Sequence, residues 1–342
     1  MTLANATDTL VCVNPGELKI ELRPAPDVPK GQVLVKPRRV GICGTDYHIY
    51  EGKHPFLEYP RVMGHELAVE VLEAPEGSAF SAGDICVVNP YLNCGECVAC
   101  RQGKPNCCTT LSVLGVHMDG GMTGLLALPE ANLIRAEGIS TDGAATVEFL
   151  AIGAHAVRRS GAKPGDRALV IGAGPIGLGA ALFARISGAD VTMLDVDTGR
   201  LAAAEDIVGV GTITAGPDAM DKALALTDGD GFDLVFDATG NAKSMEAGFD
   251  YVAHGGRFVL VGVLKASITF ADADFHRKEM TLMASRNATS EDFERVMGAI
   301  RDGQVDIDKL ITHRTTLEGA VTDLPRWATE KTGLIKALIA ID

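Results

Sequence analysis

Four cysteines, Cys94, Cys97, Cys100 and Cys108, stand in the spacing C-x2-C-x2-C-x7-C. Thiolates two residues apart can reach one tetrahedral zinc from a tight turn, and the fourth closes the loop. With cysteine at every position no ligand site is left for water, so such a centre is structural and does no chemistry. Two disulfides are the competing arrangement, disfavoured in an acidic chain whose Met1–Leu10 segment does not read as a secretory leader. Cys107 is a spare thiol beside Cys108, and Cys12 and Cys86, in apolar strand-like runs, read as packing residues.

A second, incomplete set of metal-ligand types lies on both sides of that loop. Gly41-Ile42-Cys43-Gly44-Thr45-Asp46-Tyr47-His48 must form a turn, Gly64-His65-Glu66 follows, and Glu148 comes later. A thiolate, an imidazole and a carboxylate make three protein ligands and leave one position open, the arrangement a catalytic zinc requires. Singly, Cys43 reads as core, His65 as a satisfied polar group and Glu148 as solvated surface; together they read as a site.

A third constellation is Gly172-Ala173-Gly174-Pro175-Ile176-Gly177, a G-x-G-x-x-G motif between a strand and a helix. Gly172 permits the tight turn, Gly174 admits a pyrophosphate to the backbone, and Gly177 lets helix and strand pack closely. The helix N-terminus offers free N–H groups and a positive dipole end to phosphates. Asp195 ends the next strand, where a carboxylate binds ribose hydroxyls and repels a 2′-phosphate, favouring NAD; nearby Arg200 keeps NADP open.

The elements that must position these groups change character along the chain. Thr9–Val13, Leu18–Leu22, Gln32–Lys36, Glu66–Leu72 and Ile85–Val88 read as short strands between Pro and Gly turns, a compact β domain. After about Glu148 strands alternate with helices: Ala168–Ile171, helix Ile176–Ser187, then Asp190–Leu194, Leu234–Asp237, Phe258–Val261 and Met280–Ala284. That alternation implies a doubly wound parallel sheet. The segment from about Asn287 carries one helix, Ser290–Asp302, ends in the apolar strand Ile335–Ile341, and is too small to stand alone. The chain of 342 residues therefore divides into 1–149 with 287–342 and an inserted 150–286, with a lobe at 94–108. A net charge of −14 argues against nucleic acid, and the longest uncharged stretch is short and glycine-broken, so no membrane span is expected and the chain reads as soluble and cytoplasmic.

Taken together, G-I-C-G-T-D-x-H, G-H-E, the four-cysteine lobe and G-x-G-x-x-G preceding Asp195 resemble the zinc-dependent medium-chain dehydrogenase/reductase family over nearly the whole length. The resemblance implies a chaperonin-10-like (GroES-like) catalytic domain split by an inserted Rossmann domain, two zinc ions per chain, and assembly as a dimer or tetramer. It makes Cys43 and His65 ligands of the catalytic zinc, with Glu66 or Glu148 as the third, and Asp46 the residue that orients His65. Glu148 stands where alcohol dehydrogenases have cysteine, a likeness to the polyol branch. The implied reaction is hydride transfer from a secondary alcohol, with Thr45 and His48 passing the hydroxyl proton to solvent. Thr239 and Val261 join the implied cofactor contacts, and Phe56 the substrate contacts. Val69, Phe149 and Gly121–Leu125 depart from the family pattern at packing positions.

Substrate class turns on Arg286 and Asn287, in Ser285-Arg286-Asn287-Ala288-Thr289, and on His117 in Gly115-Val116-His117-Met118-Asp119-Gly120-Gly121. An arginine can hold substrate hydroxyls or pair bidentately with a carboxylate. With Phe275-His276-Arg277-Lys278-Glu279, these segments resemble bacterial sugar-acid dehydrogenases, which implies an aldonate such as L-galactonate or L-gulonate. A neutral polyol of the sorbitol, iditol or galactitol type is the alternative, and a regulator that binds NAD or a sugar acid without turnover is the competing class.

Overall fold

The structure is a computed structural model that describes residues 6–53 and 57–342. It divides into two compact units, Met1–Glu148 with Met297–Asp342 and Phe149–Val296. The second crossing falls inside helix Ser290–Arg301, later than the 286/287 boundary expected from sequence.

The first unit is β-rich. Strands Leu133–Arg135, Ile85–Val88, Glu66–Glu73, Gln32–Ile42, Lys336–Ala340 and Ile311–Thr316 lie side by side in that order, with Leu126–Pro129 also on Gln32–Ile42. A smaller sheet joins Glu17–Pro24, Ala6–Asn14 and Arg61–Val62. Alternating apolar residues of these strands, among them Leu10, Val33, Val35, Leu67, Val69 and Ile339, close one core. The C-terminal strand Lys336–Ala340 runs antiparallel to Gln32–Ile42 with Ala337 opposite Ile42, which places the start of that strand, Lys336, beside the turn that follows Ile42.

The second unit is a six-stranded parallel sheet ordered Gly211–Thr214, Asp190–Asp195, Arg167–Ile171, Phe232–Asp237, Val252–Leu260 and Thr281–Ala284. Numbered along the chain, the order is 3-2-1-4-5-6, that of a dinucleotide-binding doubly wound sheet. Its buried strands read as apolar runs because both faces are covered.

The tail is richer than the single helix expected. Helix Ala320–Thr329 and strand Ile311–Thr316 lie in it as well. Pro325 inside that helix argues against helix in a local reading, but Ala320, Leu324, Trp327 and Ala328 are buried at helical spacing and hold it to the core. Among the described residues no helix is long and apolar enough to cross a membrane.

Candidate active site and metal centres

The turn after strand Gln32–Ile42 becomes helix Gly44–Tyr50, with Cys43 as its N-cap residue. Asp46, in the first turn, accepts the Cys43 N–H at 2.8 Å through Oδ2 and the Gly64 N–H at 3.3 Å through Oδ1. One fully buried carboxylate thus ties together the two backbone turns that carry Cys43 and His65. Asp46 is the residue the sequence reading expects to orient His65; its hydrogen bonds run to the backbone N–H groups of Cys43 and of Gly64, the residue before His65.

Cys43, His65 and Glu66 bring one donor atom each to within 4.8 Å of one another. His65 and Glu66 are buried, and His65 Nδ1 is a buried nitrogen with no hydrogen-bond partner among the described residues. An orphaned imidazole nitrogen is costly in a dry site unless a ligand takes it up. Burial alone would push the His65 imidazole down, but the Cys43 sulfur and the Asp46 and Glu148 carboxylates hold it well above the usual range. The thiol and carboxyls of Cys43, Asp46, Glu66 and Glu148 surround it, with Lys336 the buried cation facing them. A donor set with this surplus of negative charge fits a divalent cation.

Glu148 is not among those converging donors. It is 4 % exposed and accepts a hydrogen bond from the Tyr91 hydroxyl. Burial raises its pKa, with Glu66 adding to the rise and His65 opposing it. Thr45 Oγ1 lies 3.8 Å from Cys43 Sγ, and His48 is exposed on the same short helix. Phe56 lies outside the described residues.

In the cysteine lobe all four sulfurs lie within 4.8 Å of one another. Cys94 is 3.5 Å from Cys108 and 4.0 Å from Cys100, and Cys97 is 3.5 Å from Cys100. A tetrahedron with metal–sulfur bonds of about 2.3 Å has edges of about 3.8 Å, so the four sulfurs suit one ion. All are free thiols, not disulfides. The backbone N–H groups of Cys94 and Cys97 point at Cys108 Sγ and Cys94 Sγ, each at 3.3 Å, the donors that hold thiolates. The Cys97 thiol is pushed down to about 5 by backbone N–H groups of Cys100 and Thr109. Cys107 is exposed and outside the cluster.

In the parallel-sheet unit, Gly172 has φ +102° and opens the turn from strand Arg167–Ile171 into helix Pro175–Ile186. A Cβ at Gly177 would lie 1.7 Å from the Gly172 carbonyl oxygen, so only glycine lets helix and turn meet. Gly174 is the helix N-cap, Pro175 the first helical residue, and Ile176 half-buried beside them. Asp195 ends strand Asp190–Asp195; its Oδ2 accepts the Ala173 N–H at 2.6 Å and its Oδ1 the Asp197 N–H at 2.9 Å. Gly172, Asp195, Val196, Thr239 and Lys243 help line a cavity of about 480 Å³. Arg200 is not in that lining; it leans on Asp197 at 3.8 Å, because both flank the same helix start. Val261 is also outside the lining; it is buried, with its N–H on the Asp237 carbonyl.

Arg286 is exposed after strand Thr281–Ala284, between Ser285, whose buried Oγ has no hydrogen-bond partner among the described residues, and Asn287 at φ +50°. Asp292 anchors this segment from below. It accepts Thr289 N and Oγ1 at 2.9 Å, Arg158 Nε at 2.7 Å, and pairs with His155 Nδ1 at 2.8 Å. In the β-rich unit His117 is exposed, its Nδ1 accepting the Val113 N–H at 3.0 Å. The glycines around it serve packing: Cβ atoms at Gly115 and Gly120 would lie 2.8 and 2.4 Å from the Gly64 carbonyl oxygen. Asp119 accepts from Arg23, Arg61 and the Val62 N–H, pinning the strand that leads to His65. Sequence reasoning missed Tyr91 and Lys336; only Lys336, a lone charge in an apolar run, left a local signal.

Residues 29–138 match the family model described as the alcohol dehydrogenase GroES-like domain, and residues 175–302 that described as zinc-binding dehydrogenase. L-galactonate-5-dehydrogenase of Escherichia coli K12 is 39 % identical over 97 % of this chain and 98 % of that protein. The alcohol dehydrogenase rspB of E. coli CFT073, solved with NADH, superposes with a TM-score of 0.93 at 28 % identity, over 99 % of this chain and 100 % of that one. L-idonate 5-dehydrogenase of E. coli K-12 does so with a TM-score of 0.89 at 26 % identity, covering 98 % of each. The chain is therefore a dehydrogenase of the zinc-dependent medium-chain family, in its alcohol and polyol branch.

Proposed function

We propose that this enzyme oxidises a secondary hydroxyl of a six-carbon sugar acid, an aldonate such as L-galactonate or L-gulonate, at C5 with NAD as acceptor. The observation that carries the reading is the whole-length likeness to L-galactonate-5-dehydrogenase, at 39 % identity. A second 5-dehydrogenase of an aldonate, that of L-idonate, shares the fold. Arg286 supports it from the chemistry side, since an exposed guanidinium after the last parallel strand can pair bidentately with a carboxylate. His117 Nδ1 accepts a backbone N–H, so Nε2 is the nitrogen that carries the ring proton and donates outward.

Cys43, His65 and Glu66 would hold the catalytic zinc, with Glu148 beside them, and Cys94, Cys97, Cys100 and Cys108 the structural one. A zinc ion there acts as a Lewis acid that lowers the pKa of a substrate hydroxyl. Thr45 would accept a hydrogen bond from that hydroxyl and pass its proton through the cofactor ribose to His48, exposed on the same helix, and from there to solvent. Gly172, Gly174 and Gly177 bring the cofactor pyrophosphate against the helix N-terminus, and Pro175 and Ile176 form its first turn. Thr239 lines the cavity, whereas Val261 is a buried residue outside its lining. Asp195, at the cavity wall, favours ribose hydroxyls over a 2′-phosphate, which supports NAD; Arg200 is drawn to Asp197.

The test is NADH formation at 340 nm by zinc-loaded protein, with aldonates, neutral polyols and simple alcohols, and with NAD and NADP. Turnover confined to aldonates, with a KM raised about tenfold or more by Arg286→Ala, is expected if a charge-assisted pair worth about 1.5–3 kcal/mol is lost. Turnover of sorbitol, iditol or galactitol alone would replace the sugar acid by a neutral polyol. Silence on every alcohol, with the cofactor bound, would leave the regulator.

A further inference from the structure

Lys336 is 2 % exposed, yet no step of the proposed chemistry uses it. It starts the apolar strand Lys336–Ala340, and its Nζ donates to Glu66 Oε1 at 2.8 Å, to Glu66 Oε2 at 2.7 Å and to the Ile42 carbonyl at 3.2 Å. Glu66 and Lys336 belong to strands on either side of Gln32–Ile42, so the ion pair must cross that strand. It crosses at Gly41, which lies opposite Glu66 in register. A Cβ at position 41 would lie 2.1 Å from Glu66 Oε2 and 2.9 Å from Glu66 Cβ, so the carboxylate occupies space that any other residue would fill. Gly41 has no positive φ; it is glycine for room, not for backbone freedom.

The two glutamates that could offer a carboxylate to a metal beside Cys43 are therefore held by different means. Glu66 has a buried ammonium on both oxygens, whereas Glu148 has the neutral Tyr91 hydroxyl on Oε1. A cation on both oxygens fixes the carboxylate plane and removes one unit of the surplus negative charge around the donors. We propose that Lys336, reaching across Gly41, is the positioning residue of the catalytic-metal site: it locks Glu66 beside Cys43 and His65. The inference rests on the reading of those three residues as zinc ligands. It adds what selects Glu66, rather than Glu148 with its neutral hydroxyl partner, as the carboxylate presented to the ion.

The experiment uses the full chain loaded with cobalt(II), whose d–d absorption reports donor number and type without any substrate. Lys336→Met keeps the length of the stem and removes the charge, while Gly41→Ala pushes Glu66 aside with Lys336 intact. Removing an outer partner of a ligand weakens metal binding about 10–100-fold. Both variants are expected to show that loss at one ion per chain and an altered d–d spectrum, with the thiolate charge-transfer band of the four-cysteine site unchanged. An unchanged spectrum and affinity in folded Lys336→Met would overturn the proposal. So would tighter binding with a wild-type spectrum, the mark of a lysine acting by charge alone. If Lys336→Met does not fold, Gly41→Ala decides by the same criteria. Wild-type protein that takes up cobalt only at the four cysteines would remove the zinc-ligand reading and this inference together, an outcome distinct from variant insensitivity.

Discussion

Asp292 offers the sharpest test of how the parallel-sheet unit holds the segment that carries Arg286. The perturbation is Asp292→Asn, which keeps the shape and deletes the charge. In the native arrangement Oδ1 accepts from Arg158 Nε at 2.7 Å, and Oδ2 accepts from Arg158 Nη2 at 3.0 Å and from Thr289 N and Oγ1 at 2.9 Å. An asparagine can keep its oxygen toward Thr289 only by turning its NH2 toward Arg158, donor against donor. Breaking a buried ion pair costs about 3–5 kcal/mol. The Arg158 side chain is 34 % exposed and also reaches Glu291 at 3.0 Å, so water and a second partner recover part of that. The expected loss is about 2–3 kcal/mol. At ~2–4 °C per kcal/mol for domains of about 150–250 residues, the melting temperature falls by about 5–10 °C. Circular dichroism would follow the transition that NADH raises, since the dinucleotide cavity lies in the same unit. Burial alone would raise the Asp292 carboxyl, but its bonds to His155, Arg158 and Thr289 hold it far below the usual carboxylate range. A depressed folded pKa means that this stabilisation is complete above the unfolded value of about 3.9 and drains away as pH falls below it. The gap between wild type and variant should therefore be constant from neutrality to about pH 5 and close in more acid solution. A gap that persists unchanged through the acid range, or no gap at neutral pH, refutes the reasoning.

Gly177→Ala would put a Cβ 1.7 Å from the Gly172 carbonyl, forcing helix Pro175–Ile186 off the turn. Since a misplacement of about 1 Å can cost about 100-fold, NADH binding followed by fluorescence should weaken at least tenfold, with the fold retained by circular dichroism. Asp195→Ala should narrow the ratio of kcat/KM for NAD over NADP by about tenfold or more, as both the ribose acceptor and the repulsion of a 2′-phosphate are lost. Cys100→Ser should lower the metal content by one ion per chain and open the lobe at 94–108 to limited proteolysis, because three sulfurs no longer close a tetrahedron. Full metal content in that variant would mean that the lobe does not depend on its fourth thiolate.

What could be read from the sequence was local in kind. The glycine turn, the four-cysteine loop and the alternation of strand and helix are patterns within a few residues to a few tens, and each is set by backbone sterics or ligand reach. Lys336 and Glu66 lie 270 positions apart, and Tyr91 and Glu148 lie 57 apart. No spacing rule joins such pairs; only tertiary packing does, for the first through strand Lys336–Ala340 pairing beside Gln32–Ile42, for the second through helix Val147–Ser160 meeting strand Tyr91–Leu92. The same limit explains Asp119. As a sequence feature it stood among residues taken to face a substrate, whereas Arg23, Arg61 and the Val62 N–H, distant along the chain, converge on it. A lone lysine in the run Leu334-Ile335-Lys336-Ala337-Leu338-Ile339-Ala340 nonetheless carries information. A charge on a strand that reads as core must find a counter-charge or be expelled, because burying it alone costs several kcal/mol. This chain holds more buried acids than bases around Cys43, among them Asp46, Glu66 and Glu148, so the lysine's partner had to be one of them. Gly41 decides which: it is the residue opposite Glu66 whose missing Cβ leaves the carboxylate its path to the lysine.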